Sequence, residues 1–248
     1  MQYEIIIFDA DETLFDFKKT ERTALQNTMR EAGIAYDEAY HLQVYRDINA
    51  ALWKELEDEL ISQADLNVER FKRLSEALRA GFDPAGFAQS YRQHLADVAF
   101  LYEDSLDLIA SLHRDYRLAI ITNGLKDVQQ RRIRQSAIAP YLADVVISEE
   151  VGVSKPDRRI FELALARIGH TDPRRALMVG DGLTSDIQGG INAGIDTCWY
   201  NPQRLENRTG IRPTYEIAKL MELKKVLRSR EPLQRSEARN INSVADPG

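Results

Sequence analysis

Five short apolar, β-branched runs separated by longer stretches of helical period constrain this chain more than any other feature. They lie at residues 3–8, Arg117–Thr122, Asp144–Ile147, Ala176–Val179 and Asp196–Trp199. Runs so short and so uniformly apolar mark strands buried on both faces of a parallel sheet, and the helices between them are what cover it. The pattern predicts an α/β fold, a Rossmann-like open parallel sheet. Between about Phe17 and Asp104 the strand-like runs give way to good helix formers. Apolar residues recur there at three- and four-residue intervals, as in Leu52, Leu56 and Leu60 or Phe71, Leu74 and Leu78. Turn signals at Gly33, Ala64-Asp65 and Gly81 to Pro84 divide the stretch into four helices over 18–32, 37–61, 65–80 and 84–98. The expected organisation is a core of residues 1–16 and 105–228, an inserted helical domain over 17–104, and a polar, mobile tail over 229–248.

Composition narrows the partners. The 248 residues, 44% of them hydrophobic, suffice for a packed core, and the formal net charge of -6 offers no general attraction to nucleic acid or acidic membrane. An anionic substrate must be held locally. The apolar run before Asp9 is too short for a signal peptide or a membrane span, so a cytoplasmic protein is expected. Cys198, the single cysteine, reads as buried packing, and the four histidines show no metal-ligand spacing.

Residues that carry chemistry gather where the strands end. Asp9 and Asp11 follow the first run directly, with Glu12 and Thr13 behind them, and strand ends in open α/β sheets are where ligands bind. Two carboxylates there suit a division of labour. One attacks phosphorus and holds a hard cation while the other donates and accepts a proton. Capping of backbone groups in a turn is the plainer account. Thr122, Asn123 and Gly124 close the second run ahead of a helix, offering a hydroxyl and free N–H groups to phosphate oxygens, or only a strand-to-helix turn. Lys155, before Pro156, reads alone as a solvated lysine and in company as a point charge for a phosphoryl group. Asp181 and Asp186 follow the fourth run. The first is placed for a hard cation, the second as a helix N-terminal acid or a group orienting Lys155 and the cation's waters. Gly189-Gly190 and Ala193-Gly194 mark a closely packed helix and its stop.

In this order, Asp9 and Asp11, Thr122, Lys155, then Asp181 and Asp186 resemble the signature of the haloacid dehalogenase (HAD) superfamily of aspartate-nucleophile phosphatases, from Tyr3 to about Tyr200. The resemblance implies Asp9 as nucleophile, Asp11 as general acid and base, and Thr122 with the Asn123 amide and Gly124 as the phosphate grip. It implies Lys155 as the charge holder and magnesium bound by Asp9, the Asp11 carbonyl and Asp181, with Asp186 beside them. An acid at position 11 separates the chain from the dehalogenases, which need no proton donor for a halide, and favours phosphate monoesters. The helical insertion is similar to the cap of the superfamily's first cap class, so residues 15–104 are expected to select the substrate. The stretches Phe8–Phe17 and Gly180–Ile187 look most like 5'-nucleotidases acting on pyrimidine and modified nucleoside monophosphates, with Glu12 standing where many relatives carry glycine. A sugar-phosphate phosphatase shares every core residue, no motif announces a mutase, and a silent binding module is expected to lack Asp9 or Asp11. Trp53, Tyr45, Phe71 and Tyr91 offer faces for a base, although their helical spacing reads first as core. Arg131, Arg132 and Arg134 could reach a second anionic group, although they read first as a solvated helix face.

Overall fold

A computed structural model describes residues 2–58 and 60–228; the expected tail over 229–248 and the side chains of Trp53 and Leu56 lie outside the described residues. Six strands, β1 (Ile5–Phe8), β2 (Arg117–Thr122), β3 (Leu142–Ile147), β4 (Ala176–Gly180), β5 (Asp196–Tyr200) and β6 (Tyr215–Ile217), form one sheet in the order β3-β2-β1-β4-β5-β6. Every neighbouring pair is parallel. Five strands are the runs read from the sequence. The sixth has three residues with Glu216 in the middle, too little apolar pattern to announce itself.

β1 shows why such a run becomes a central strand. Ile6 and Phe8 point into one apolar layer with Leu108 and Ile109 of α5 (Ser105–Leu112), while Ile5 and Ile7 point into the other with Ile160 and Phe161 of α8 (Arg158–Arg167). All four are fully buried, worth about 2 kcal/mol each in apolar burial. The remaining core helices are α6 (Lys126–Gln135), α7 (Ser148–Val151), α9 (Gln188–Asn192) and α10 (Leu223–Arg228). A Cβ on Gly190 would lie 2.6 Å from Thr197 Cγ2, and Gly194 ends the α9 region at φ +72°, so the glycines expected to pack and stop a helix do both. Cys198 is buried in the core, where burial pushes its thiol upward, as packing material requires. No helix among the described residues is long and apolar enough to cross a membrane.

Four helices, α1 (Phe17–Glu31), α2 (Glu38–Glu57), α3 (Gln63–Leu78) and α4 (Pro84–Asp97), occupy the segment between β1 and α5. Asp16 caps α1 by accepting from the Lys19 N–H, Ser62 and Asp65 form a capping box on α3, and Asp83 caps α4 ahead of Pro84. They enclose their own core of Leu25, Met29, Tyr45, Phe71, Leu74, Phe87 and Tyr91. Tyr45, Phe71 and Tyr91 pack on one another with centroids 5.1 to 6.0 Å apart, so these faces hold helices together. Leu60 is 72% exposed because α2 stops at Glu57, short of the expected 61. The two connecting segments run side by side: Asp16 N–H donates to Phe100 O at 2.9 Å and Tyr102 N–H to Leu14 O at 3.0 Å. On the far side α4 rests on α6 through Arg92–Asp127 (2.7 Å) and Arg131–Asp97 (2.5 Å).

Chain order reverses between β1, which leads to β2 on one side, and β4 on the other. At such a reversal no crossover covers the carboxyl ends of the strands, and a crevice is left there. Asp9 follows β1 and Asp181 follows β4.

Candidate active site

The residues picked out at the strand ends meet in this crevice. One carboxylate oxygen from each of Asp9, Asp181 and Asp186 lies within 4.8 Å of the others. The Lys155 ammonium, almost wholly buried, donates to Asp9 Oδ1, lies 2.7 Å from Asp186 Oδ1, and donates to the Ile121 carbonyl at 2.9 Å. A lysine buried this way is no solvated surface charge. Asn123 fixes it: its Oδ1 accepts from the Lys155 backbone N–H at 2.9 Å, and its Nδ2 donates to the Lys155 carbonyl at 3.0 Å.

Two glycines make room. A Cβ on Gly180 would fall 2.3 Å from Asp186 Oδ2, so the approach of Asp186 requires glycine there; the same oxygen accepts from the Gly182 N–H at 2.9 Å. A Cβ on Gly124 would lie 2.9 Å from the Gln129 side chain, and the Gly124 N–H itself is taken by Ser148 Oγ at 3.1 Å. Thr13, fully buried, ties the β1 loop to the β4 loop by accepting from the Asp181 N–H at 3.1 Å, and Trp199 Nε1 donates to the Asp181 carbonyl at 2.9 Å.

Charge is unbalanced in this cluster. Burial, reinforced by Asp186 and Asp181, holds the Asp9 carboxyl well above the ordinary carboxylate range against the pull of Lys155. Asp181 is pushed up to about 6, by burial first and then by Asp186 and Glu12. Burial alone would drive Lys155 down, but Asp186 and Asp9 outweigh it and hold the ammonium above its usual value. Burial penalises each carboxylate's charge first, and three carboxylates around one ammonium then favour protonated acids and a charged lysine alike. Fully ionised, the group carries two negative charges in excess, and its donors are oxygens only. That composition fits a hard divalent cation.

Asp11 stands apart from that cluster. Its Oδ1 accepts from Arg132 Nη1 at 2.8 Å and its Oδ2 from Gln129 Nε2 at 2.6 Å. The same Gln129 nitrogen donates to Thr122 Oγ1 at 3.1 Å, which leaves the threonine proton free to turn toward a ligand oxygen. Arg132 is 1% exposed, the bulkiest fully buried side chain among the described residues, and this corrects its reading as part of a solvated face. The signal was in the sequence: Leu125, Val128, Gln129, Arg132 and Ile133 recur at helical spacing, and Val128, Gln129, Arg132 and Ile133 form the buried stripe of α6. Arg131, by contrast, is outward and paired with Asp97.

Glu12 sits at φ 60°, left-handed backbone that glycine adopts most readily. Its carboxylate accepts from the Lys18 backbone N–H at 2.9 Å, pairs with Lys18 Nζ at 2.7 Å and accepts from Tyr102 Oη at 3.3 Å. The side chain thereby fastens the β1 loop to the start of α1 and to Tyr102, offsetting the backbone strain.

Comparison with known proteins gives the family and the fold. The family model described as haloacid dehalogenase-like hydrolase matches residues 3–194. The pyrimidine 5'-nucleotidase PynA of Streptococcus pneumoniae is 42% identical over 224 residues, 90% of this chain and 94% of that protein. The pyrimidine 5'-nucleotidase YjjG of Escherichia coli is 36% identical over 227 residues, 92% of this chain and 99% of that one. A crystal structure of the HAD-hydrolase YfnB of Bacillus subtilis, bound to magnesium, superposes with a TM-score of 0.84 at 35% identity, covering 92% of this chain and 99% of its own.

Proposed function

The chain belongs to the haloacid dehalogenase-like hydrolase family and is a phosphatase of that family; from this premise we propose that it hydrolyses pyrimidine nucleoside 5'-monophosphates through a phosphorylated Asp9, with magnesium as cofactor. The observation that carries the reaction is the separation of its two acids. Asp9 lies in the charge cluster with Lys155, Asp181 and Asp186, whereas Asp11, two residues on, is turned out of it toward Gln129 and Arg132. The substrate class rests on the end-to-end similarity to two pyrimidine 5'-nucleotidases.

In this reading an Asp9 oxygen bonds to phosphorus while the bond from phosphorus to the 5' oxygen breaks. Asp11 gives its proton to that oxygen and the nucleoside leaves. Asp11 then takes a proton from water as the water oxygen attacks the phosphoaspartyl phosphorus, and inorganic phosphate departs from Asp9. An alkoxide leaves phosphorus poorly without the proton, help worth about a hundredfold or more. The Thr122 hydroxyl donates to a phosphate oxygen beside the Asn123 N–H, while the Asn123 side chain holds Lys155 in place. Lys155 keeps positive charge against Asp9, whose burial disfavours the carboxylate that must attack. Asp9, Asp181 and the Asp11 carbonyl, with Asp186 next to them, would hold magnesium, which when bound would add positive charge beside the phosphate oxygens. We assign residues 17–104 to a cap over a core of 1–16 and 105–228, hinged where Leu14 to Asp16 run beside Phe100 to Tyr102.

The test is phosphate release with magnesium across UMP, dUMP, dTMP and a set of sugar phosphates, with Asp9→Asn as the blank. Preference for the pyrimidine nucleotides supports the reading. Preference for sugar phosphates retains the core chemistry and rejects the substrate class, and an Asp9→Asn variant that turns over normally rejects the mechanism.

A further inference from the structure

Arg132 is the residue the reaction above leaves unexplained. Its guanidinium is buried between the rings of Phe15 and Phe17, each 5.4 Å from its central carbon. Nη1 makes both of its hydrogen bonds, to Asp11 Oδ1 at 2.8 Å and to Gln129 Oε1 at 3.0 Å. Nε and Nη2 are buried with no hydrogen-bond partner among the described residues. A guanidinium with idle buried donors is a poor choice for holding a fold together, because each idle donor has lost its water for nothing. Packing alone would be served by leucine or methionine.

We propose that Arg132, with Gln129, is a positioning residue that aims the Asp11 carboxyl at the leaving oxygen of the substrate. The aim is fixed by three restraints. The rings of Phe15 and Phe17 pack against the guanidinium, and Arg132 in turn holds Oδ1 of Asp11. Gln129 is itself held by Arg132 and donates from one nitrogen to Asp11 Oδ2 and to Thr122 Oγ1. The group that protonates the leaving oxygen and the hydroxyl that grips the phosphate are therefore located by the same amide. Each Asp11 oxygen accepts one of these bonds and keeps a second lone pair, so a proton can be carried without breaking the clamp.

The inference rests on Asp11 being the general acid, and one experiment separates the two ideas. kcat/KM is measured for UMP, whose alkoxide needs a proton to leave, and for p-nitrophenyl phosphate, whose phenolate does not. The proteins are wild type, Asp11→Asn, Arg132→Met, Arg132→Lys and Gln129→Leu. The ratio of the two values is independent of the fraction of each preparation that is folded, since misfolded protein lowers both alike. Arg132→Met is expected to lower the UMP value about 10- to 100-fold and the aryl value less than about threefold, with Arg132→Lys and Gln129→Leu between it and wild type. Equal loss on both substrates, or loss on neither, overturns the positioning role. If Asp11→Asn alone shifts the ratio, Asp11 remains the acid and only the role of Arg132 falls; if Asp11→Asn leaves the ratio unchanged, both fall.

Discussion

Replacing Lys155 by methionine removes the cation from a cluster of two buried carboxylates and a half-buried one, and the size of the effect follows from the geometry. Lys155 Nζ lies 2.7 Å from Asp186 Oδ1 and also contacts Asp9. At an effective dielectric near 20, one such contact is worth about 6 kcal/mol before desolvation. Freeing the ammonium from a buried site returns several kcal/mol, so the net loss on breaking the group is about 3–5 kcal/mol. For a chain of this length that corresponds to roughly 6–20 °C in Tm. The assay is thermal unfolding in a chelator at pH 7.5, with and without added magnesium. Lys155→Met should melt far below wild type in chelator and gain more from magnesium than wild type does, because its carboxylates are left with no other counter-charge. Asp186→Asn added to Lys155→Met should recover part of the loss. A Lys155→Met protein melting within about 2 °C of wild type in chelator would refute the charge-balance argument.

Protons and a divalent cation should compete at Asp181. Its folded carboxyl is raised to about 6 from an ordinary 3.8, so folding favours the protonated form; the resulting penalty is absent below about pH 4, grows between there and 6, and is full above it. Chelated protein should therefore gain stability from this group as pH falls from 7 to 5, and the Tm increment given by magnesium should shrink over the same interval, which melts at several pH values will read. An increment that grows toward pH 5 contradicts the assignment. Gly180→Ala places a Cβ 2.3 Å from Asp186 Oδ2 and must displace that side chain from Lys155. A magnesium titration of activity should then show weakened metal dependence and a loss of about tenfold or more; unchanged titration curves mean that Asp186 has no part in the metal site.

Most of the architecture was legible because buried parallel strands leave a simple trace. Ile5–Phe8 and Ala176–Gly180 are apolar throughout, and the acids that follow them stand out against such runs. The inserted helices were legible through their spacing and caps, and their ends differ from expectation by a few residues where Glu57 rather than residue 61 ends α2. What escaped was whatever depended on long-range pairing. Arg132 looks like its neighbours Arg131 and Arg134 until Asp11, 121 residues away, is known to meet it. Thr13 and Trp199 likewise act through backbone groups of Asp181, contacts that carry no residue-type signal. The side chain of Asn123 is spent on the backbone of Lys155, a use that its place beside Thr122 did not announce.

The pairing of β1 with β4 joins Ile5 to Ala176 across most of the described chain. During synthesis β1 leaves the ribosome before β4, and one of its two edges stays open until β4 follows. Asp9 likewise waits for Lys155, Asp181 and Asp186, all of which are translated far later. A half-made chain therefore exposes an apolar strand edge but holds no assembled charge cluster, so it is vulnerable to aggregation before it is able to act on any phosphate.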